Sequence, residues 1–270
     1  MSDDAARFVG SIPEQYDRGL GPVFFAGWGA DLAARAAAFK PARVLEIAAG
    51  TGIVTRLLRD ALPAATEIVA TDLNAPMLEI AKHKVGDGEK VVFQTADATS
   101  LPFPDRSFDA VVCQFGVMFF PDKDRAYREA RRVLAPGGHY LFNVWDSLDR
   151  NPAARLAHTT IGGFFPADPP GFYLVPYSYN RIDPIKDALE AAGFDDIVFS
   201  VLKMHKDLPD PAAFARGLVF GNPVLEEIRK RGGVTPDQVF AAVRAALGRE
   251  LGEKPCRVPM QIIVASARKP

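Results

Sequence analysis

VLEIAAGTGIVT, residues 44–55, decides the fold. An apolar run holding one carboxylate, Glu46, gives way to Ala48 and Ala49 and a Gly50-Thr51-Gly52 turn. The apolar spacing of a helix follows at once. A short strand, a glycine turn and a helix form the first β-α unit of a nucleotide-binding α/β fold.

Working outward, strand and helix patterns alternate with short connections, the signature of parallel βαβ units. Strands are predicted at 42–48, 67–71, 90–94, 110–115, 140–145, 197–202 and 260–265. After the turn, Ile53, Val54, Leu57, Leu58, Ala61 and Leu62 make a helical face that Pro63 closes. Pro76 opens a second helix, and a stripe from Ala126 to Leu134 stops at Pro136-Gly137-Gly138. The whole chain, 1–270, reads as one domain. Residues 1–40 form an N-terminal helical cover and 41–150 the cofactor-binding half. Insertions at 151–180 (aromatic, aperiodic) and 209–253 (helical) cover the substrate, while 181–208 and 254–270 complete the sheet. Residues 11–22, broken by Pro13, Gly19, Gly21 and Pro22, read as loop, which makes Tyr16 a lid candidate; Trp28 and Phe39 read as core.

A net charge of −1 offers no electrostatic footprint for nucleic acid. No apolar run approaches the roughly 18 residues needed to span a bilayer, and the acidic N-terminus lacks the order of a secretory signal. Cys113 and Cys256 stand far apart with no CxxC, against a zinc site or disulfide framework. No metal is expected, the cytoplasm is the default location, and Cys113 reads as a small core residue.

A dinucleotide fold would place a third glycine where Thr55 stands. Asp72 ends the second strand about twenty residues after the turn, where a carboxylate can accept ribose hydroxyls. Asp97 follows the third strand on the same sheet edge, in reach of an adenine amine. Glu46 adds negative charge, and no lysine or arginine lies between Val44 and Thr55. Such a pocket repels phosphates and favours a ribose, an adenine and positive charge. S-adenosylmethionine, with an ammonium, a sulfonium and no phosphate, meets that description. For Glu46 and Asp97, a salt bridge or a turn cap is the structural alternative.

The blocks VLEIAAGTG (44–52), TDLNAPML (71–78), ADATSLPFPDRSFDAVVCQFGVMFF (96–120) and REARRVLAPGGHYLFNVW (128–145) together resemble the class I S-adenosylmethionine-dependent methyltransferases. They look closest to the small-molecule, quinone-biosynthesis-like branch. The resemblance implies a Rossmann-like seven-stranded, mostly parallel sheet with its last strand antiparallel and helices on both faces. It implies Gly50 and Gly52 against the methionine moiety, with Glu46, Ala48 and Thr51 lining the turn. It further implies Asp72 at the ribose, Leu73 and Met77 flanking the adenine, Asp97 and Ala98 at the adenine edge, and Gln114 facing the methionine amine and the transferred methyl. Asp109 reads as structural.

Methyl transfer from a sulfonium is an in-line displacement, so positioning and water exclusion carry much of the rate. A base is needed only where the acceptor must lose a proton. His139 should lie at the opposite sheet edge, His83 in solvent and His205 just after the sixth strand. His158 is the remaining histidine candidate for a base and Tyr16, Tyr177 and Tyr179 are alternatives, with pocket lining or packing as their other reading, and no catalytic residue is assigned. Gln114-Phe115-Gly116-Val117 stands where amino-methylating nucleic-acid enzymes of this fold carry Asn/Asp-Pro-Pro-aromatic. A small, partly apolar acceptor is therefore expected, with S-adenosylhomocysteine as the second product, no stable membrane insertion, and a homodimer left open. The alternatives are an S-adenosylmethionine-binding module without transferase activity and an NAD-dependent dehydrogenase.

Overall fold

The computed structural model describes residues 6–270; the first five residues of the expected N-terminal cover lie outside them. A seven-stranded sheet forms in the order β3-β2-β1-β4-β5-β7-β6. Its strands are β1 (Arg43–Ile47), β2 (Glu67–Asp72), β3 (Val91–Thr95), β4 (Phe108–Gln114), β5 (Leu134–Trp145), β6 (Asp195–Leu208) and β7 (Cys256–Arg268). β1 pairs in parallel with β2 and β4, β2 with β3, and β4 with β5. β7 runs antiparallel to β5. The Gly137 amide donates to the Lys269 carbonyl at 2.8 Å, while further up β5 the Asp146 amide reaches back to the Gln261 carbonyl at 3.1 Å. The predicted fold class is thus realised.

The central strands are apolar because both their faces are covered: Val44, Leu45 and Ile47 on β1 and Ala110–Cys113 on β4 are buried. The α-helices are α1 (Ile12–Gln15), α2 (Ala26–Ala38), α3 (Ile53–Ala61), α4 (Ala75–Lys82), α5 (Lys123–Val133), α6 (Pro152–Gly163), α7 (Ile182–Ala191), α8 (Ala212–Phe220), α9 (Val224–Arg231) and α10 (Pro236–Leu251). The buried face of α3, which follows β1, is Val54, Thr55, Leu58 and Arg59. Arg59 is buried without an acid because its guanidinium donates to the carbonyls of Leu62, Pro63, Thr66 and Glu89. It thereby satisfies acceptors at the end of its own helix. Asp109 is structural, as expected: its carboxylate accepts the Ala42 and Arg43 amides at 2.9 Å each and fixes the entry to β1. The strand order reverses beside β1, and in open α/β sheets ligands bind outside the carboxyl ends at that point.

The chain divides into two compact units. One is built on Phe25–Val144, Asn180–Val201 and Ile263–Pro270 and contains the glycine turn. The other gathers the stretch up to Phe24 with Trp145–Tyr179 and Leu202–Ile262. In this second unit Phe24 packs on Trp145 and Phe214 with ring centroids 5.1 and 4.9 Å apart, and Trp145 packs on Tyr177 at 5.7 Å.

Several elements depart from the sequence expectation. The loop expected at 11–22 is helical: α1 (Ile12–Gln15) runs into wide π-helical turns over Tyr16–Phe25, then α2 (Ala26–Ala38). Pro22 lies inside the wide turns, which are where an α-helix accommodates an interruption. Tyr16 is therefore on helical backbone, half-buried, with its ring edge-on to Phe8 at 5.6 Å. The aperiodic insertion contains α6 (Pro152–Gly163), whose buried face of Ala153, Ala154, Ala157 and Ile161 is mostly alanine. β6 extends past 202, so His205 lies within the strand, exposed, rather than after it. The 209–253 insertion is helical, as predicted: α8 (Ala212–Phe220), α9 (Val224–Arg231) and α10 (Pro236–Leu251).

Candidate functional site

The site grows from the ends of β1 and β4. Ala48, just after β1, holds a φ of +56°, and Phe115, just after β4, holds +52°. Non-glycine residues adopt this region at a cost, and such strain gathers at functional sites. The surroundings impose it. The Phe115 amide donates to both the backbone carbonyl and the side-chain oxygen of Asn143, each at 3.1 Å. The Ala49 amide donates to the Thr71 carbonyl at 2.8 Å. Beyond Phe115, a Cβ on Gly116 would stand 2.6 Å from the Ala48 Cβ and 2.7 Å from the Cys113 sulfur, so only glycine lets the two strand ends approach.

The glycine turn is pinned by Asp72. One carboxylate oxygen accepts the Gly50 amide at 2.9 Å; the other accepts the Asn74 amide at 2.8 Å and its side-chain amide at 3.3 Å. The Leu73 amide bonds to it as well, and burial nevertheless pushes the carboxyl pKa up. A carboxylate has about four acceptor positions, so the turn and the start of α4 (Ala75–Lys82) already use most of them. Gly50 and Gly52 hold φ values of +57° and +77°. Among the described residues only the Met77 methyl comes near Gly50, at 3.5 Å from an added Cβ, whereas a Cβ on Gly52 would meet the Ala81 Cβ of α4 at 2.6 Å. The missing third glycine of a dinucleotide turn is thus replaced by tight packing at the second.

Glu46 is 1% exposed, and one carboxylate oxygen accepts the Thr55 hydroxyl at 2.6 Å. Burial drives its pKa up to about 8, opposed by the Thr55 hydrogen bond and reinforced by Asp72. The expected negative charge is therefore corrected: at neutral pH this carboxyl carries a proton. The turn also holds a cation, because Lys84 reaches from beyond α4 to the Thr51 carbonyl at 2.7 Å. Burial likewise raises the Cys113 thiol to about 12, consistent with a core residue.

Leu73 is 59% exposed at this edge while Met77 and Ala98 are buried. Asp97 is exposed, and one of its oxygens caps its own turn by accepting the Thr99 amide and hydroxyl at 2.8 Å each. Gln114 donates to the Phe25 carbonyl at 3.1 Å and accepts from Asn143 at 3.3 Å. Sequence reasoning missed Asn143, fully buried at the end of β5; a lone asparagine in the apolar run YLFNVW was its signal.

The base candidates lie in the other unit. Tyr177 is 5% exposed against Trp145, and burial raises its pKa well above the usual value. His158, on α6, has a buried Nδ1 with no hydrogen-bond partner among the described residues, and burial lowers its pKa, so the ring is neutral. His139 stacks on Phe39 at 3.8 Å in register with Ala110, far from the carboxyl ends, and His83 is exposed, as expected. Among the described residues no group of three metal-ligating side chains forms, and no helix is long and apolar enough to cross a membrane.

A doubly wound sheet with a glycine turn and two acids at its switch point has the layout of a Rossmann-like ligand-binding fold. A family model described as a methyltransferase domain matches residues 45–142. The Pseudomonas aeruginosa ubiquinone/menaquinone biosynthesis C-methyltransferase UbiE is 44% identical over 185 residues, covering 62% of this chain and 72% of that protein. Its Hahella chejuensis counterpart is 43% identical over 120 residues, covering 43% of this chain and 48% of that one. The chain spans about half the length of several of the curated relatives it matches. Haemonchus contortus phosphoethanolamine N-methyltransferase 2, solved with S-adenosyl-L-methionine, shares the fold at a TM-score of 0.60 and 17% identity, covering 100% of this chain and 60% of that one. The chain belongs to the class I S-adenosylmethionine-dependent methyltransferases, in their quinone-biosynthesis-like branch.

Proposed function

We propose that this protein binds S-adenosylmethionine at the carboxyl ends of β1, β2 and β4 and transfers its methyl group to a small, partly apolar acceptor. The observation that carries this reading is the turn itself: Gly50 offers an open approach beside Met77, and Asp72 holds the turn from below. In this reading the ribose hydroxyls share Asp72 by displacing the Asn74 side-chain amide, the longest of the bonds that carboxylate accepts from Gly50 and Asn74. Leu73 supplies an exposed apolar surface for the adenine, and Asp97 uses its free face for the amine. Gln114, held by Phe25 and Asn143, orients the methionine end.

The cofactor supplies an activated methyl group. The acceptor's electron pair forms the new bond to the methyl carbon as the methyl–sulfur bond breaks onto sulfur, giving S-adenosylhomocysteine. The protein's part is alignment and exclusion of water. The quinone C-methyltransferase relatives favour an electron-rich aromatic carbon as the acceptor, which sheds its ring proton after transfer. The test is turnover of methyl-labelled cofactor with a demethylated quinol and, in parallel, with a metabolite extract. Label in a quinone supports the full reading. Label in another small molecule keeps the transferase and replaces the acceptor, and no product despite cofactor binding reduces the protein to a binding module.

A further inference from the structure

We propose that Glu46 holds a proton in the empty site and releases it to solvent when the cationic cofactor enters, so that cofactor binding is coupled to proton release. This rests on the reading of the site given above and adds the ionisation of one of its residues.

The argument is geometric first. Glu46 is sealed in the sheet, 1% exposed, between β2 and β4. Among the described residues, the one hydrogen bond to its carboxylate is from the Thr55 hydroxyl, and its backbone carbonyl accepts from the Thr71 hydroxyl at 2.9 Å. An ionised carboxylate needs more than one neutral donor to offset such burial. The ionisable groups facing it from neighbouring elements make matters worse. Asp72, at the end of β2, is a second acid raising Glu46, and Cys113, on β4, stays a neutral thiol. α3 contributes Thr55, which cannot ionise, and the Lys84 ammonium donates to the Thr51 carbonyl rather than to the Glu46 carboxyl. Burial therefore keeps the proton on, with a pKa of about 8. A ligand bearing an ammonium and a sulfonium supplies the charge the pocket lacks; it favours the carboxylate, and the displaced proton passes to buffer. Neutral adenosine, which carries the ribose and adenine alone, has no such charge.

Calorimetry at pH 6.5 in buffers of different ionisation enthalpy counts the protons, at a pH where the cofactor's own amine is already charged. About one proton should leave on binding S-adenosylmethionine and none on binding adenosine. Affinity for S-adenosylmethionine should rise close to tenfold per pH unit between pH 6 and 7.5 and level off near 8. Glu46→Gln, which imitates the protonated acid and should fold, should bind with no proton release and a flat profile. Thr55→Val, which removes the one donor to the carboxylate, should move the plateau to higher pH. Binding without proton exchange, equal release with adenosine, or release that survives in Glu46→Gln and so belongs to Asp72, would each overturn the assignment. Absence of any S-adenosylmethionine binding to the wild type would instead remove the underlying reading of the site.

Discussion

Glu46 places an ionisable group where the fold disfavours its charge, and that has a consequence for stability without any ligand. Its pKa rises from an ordinary carboxylate value to about 8 on folding. A raised pKa means the folded state holds the proton more tightly than the unfolded chain. The contribution is fully present below the unfolded value and is lost as pH rises through 8. The empty protein should therefore lose stability between about pH 5 and 8, and Glu46→Gln should be the more stable protein at pH 8, by about 2–5 kcal/mol. Denaturant melts of both proteins at pH 5 and pH 8 check it; parallel curves at the two pH values would count against a buried proton. Asp72 differs because its carboxylate is spent on amides. Removing it in Asp72→Ala should weaken cofactor binding by about 1–3 kcal/mol, the cost of unpaired buried donors. Asn74→Ala, which frees an acceptor position, should leave affinity equal or improved. Calorimetry on both variants separates a ribose acceptor from a purely structural clamp, since a clamp predicts losses in both.

At the scale of elements, Gly52 is where α4 meets the turn. With φ at +77° and an added Cβ only 2.6 Å from Ala81, Gly52→Ala combines backbone strain with overpacking and should cost about 1–3 kcal/mol. Gly88, at φ +85° with nothing nearby, carries the conformational part alone. Gly88→Ala should therefore cost less in the same chemical melt, and equal losses would mean that close packing on α4 is unimportant. These elements also show what a sequence can reveal. β1, β4 and α3 were legible because burial on two faces or one writes itself as an apolar run or a 3.6-residue stripe. α6 was not: its buried face is largely alanine, which barely registers as apolar, and its end is blurred by Gly162-Gly163. The strained φ values of Ala48 and Phe115 were illegible for a different reason. Neither position carries the glycine that would announce them, and the conformation is imposed by partners, Asn143 and Thr71, that only the folded sheet brings near. The Lys84 contact to Thr51, thirty-three residues away, was likewise beyond any reading of the turn alone.

For the whole molecule, the pattern of charge decides which nucleotide ligand the fold accepts. Net charge is −1, so no long-range field draws in or repels a phosphate. Selection falls to the site, where the Asp72 carboxylate and a Glu46 that ionises beside a cation favour a positive ligand over a pyrophosphate, while the Lys84 ammonium is held on the Thr51 carbonyl. A ligand that binds only the folded state raises its stability by RT ln(1 + [L]/Kd), about 2.7 kcal/mol at one hundred times Kd. For a chain of this size that corresponds to a rise in melting temperature of roughly 5–11 °C, taking about 2–4 °C per kcal/mol. S-adenosylmethionine should produce a shift of that size, rising with the logarithm of concentration and larger at pH 8 than at pH 6.5. NADH at the same concentrations should produce none, because its pyrophosphate meets the Asp72 carboxylate at the turn. A comparable shift with NADH would show that the carboxylates do not govern selection. The same shift at both pH values would leave selection intact while removing the proton from it.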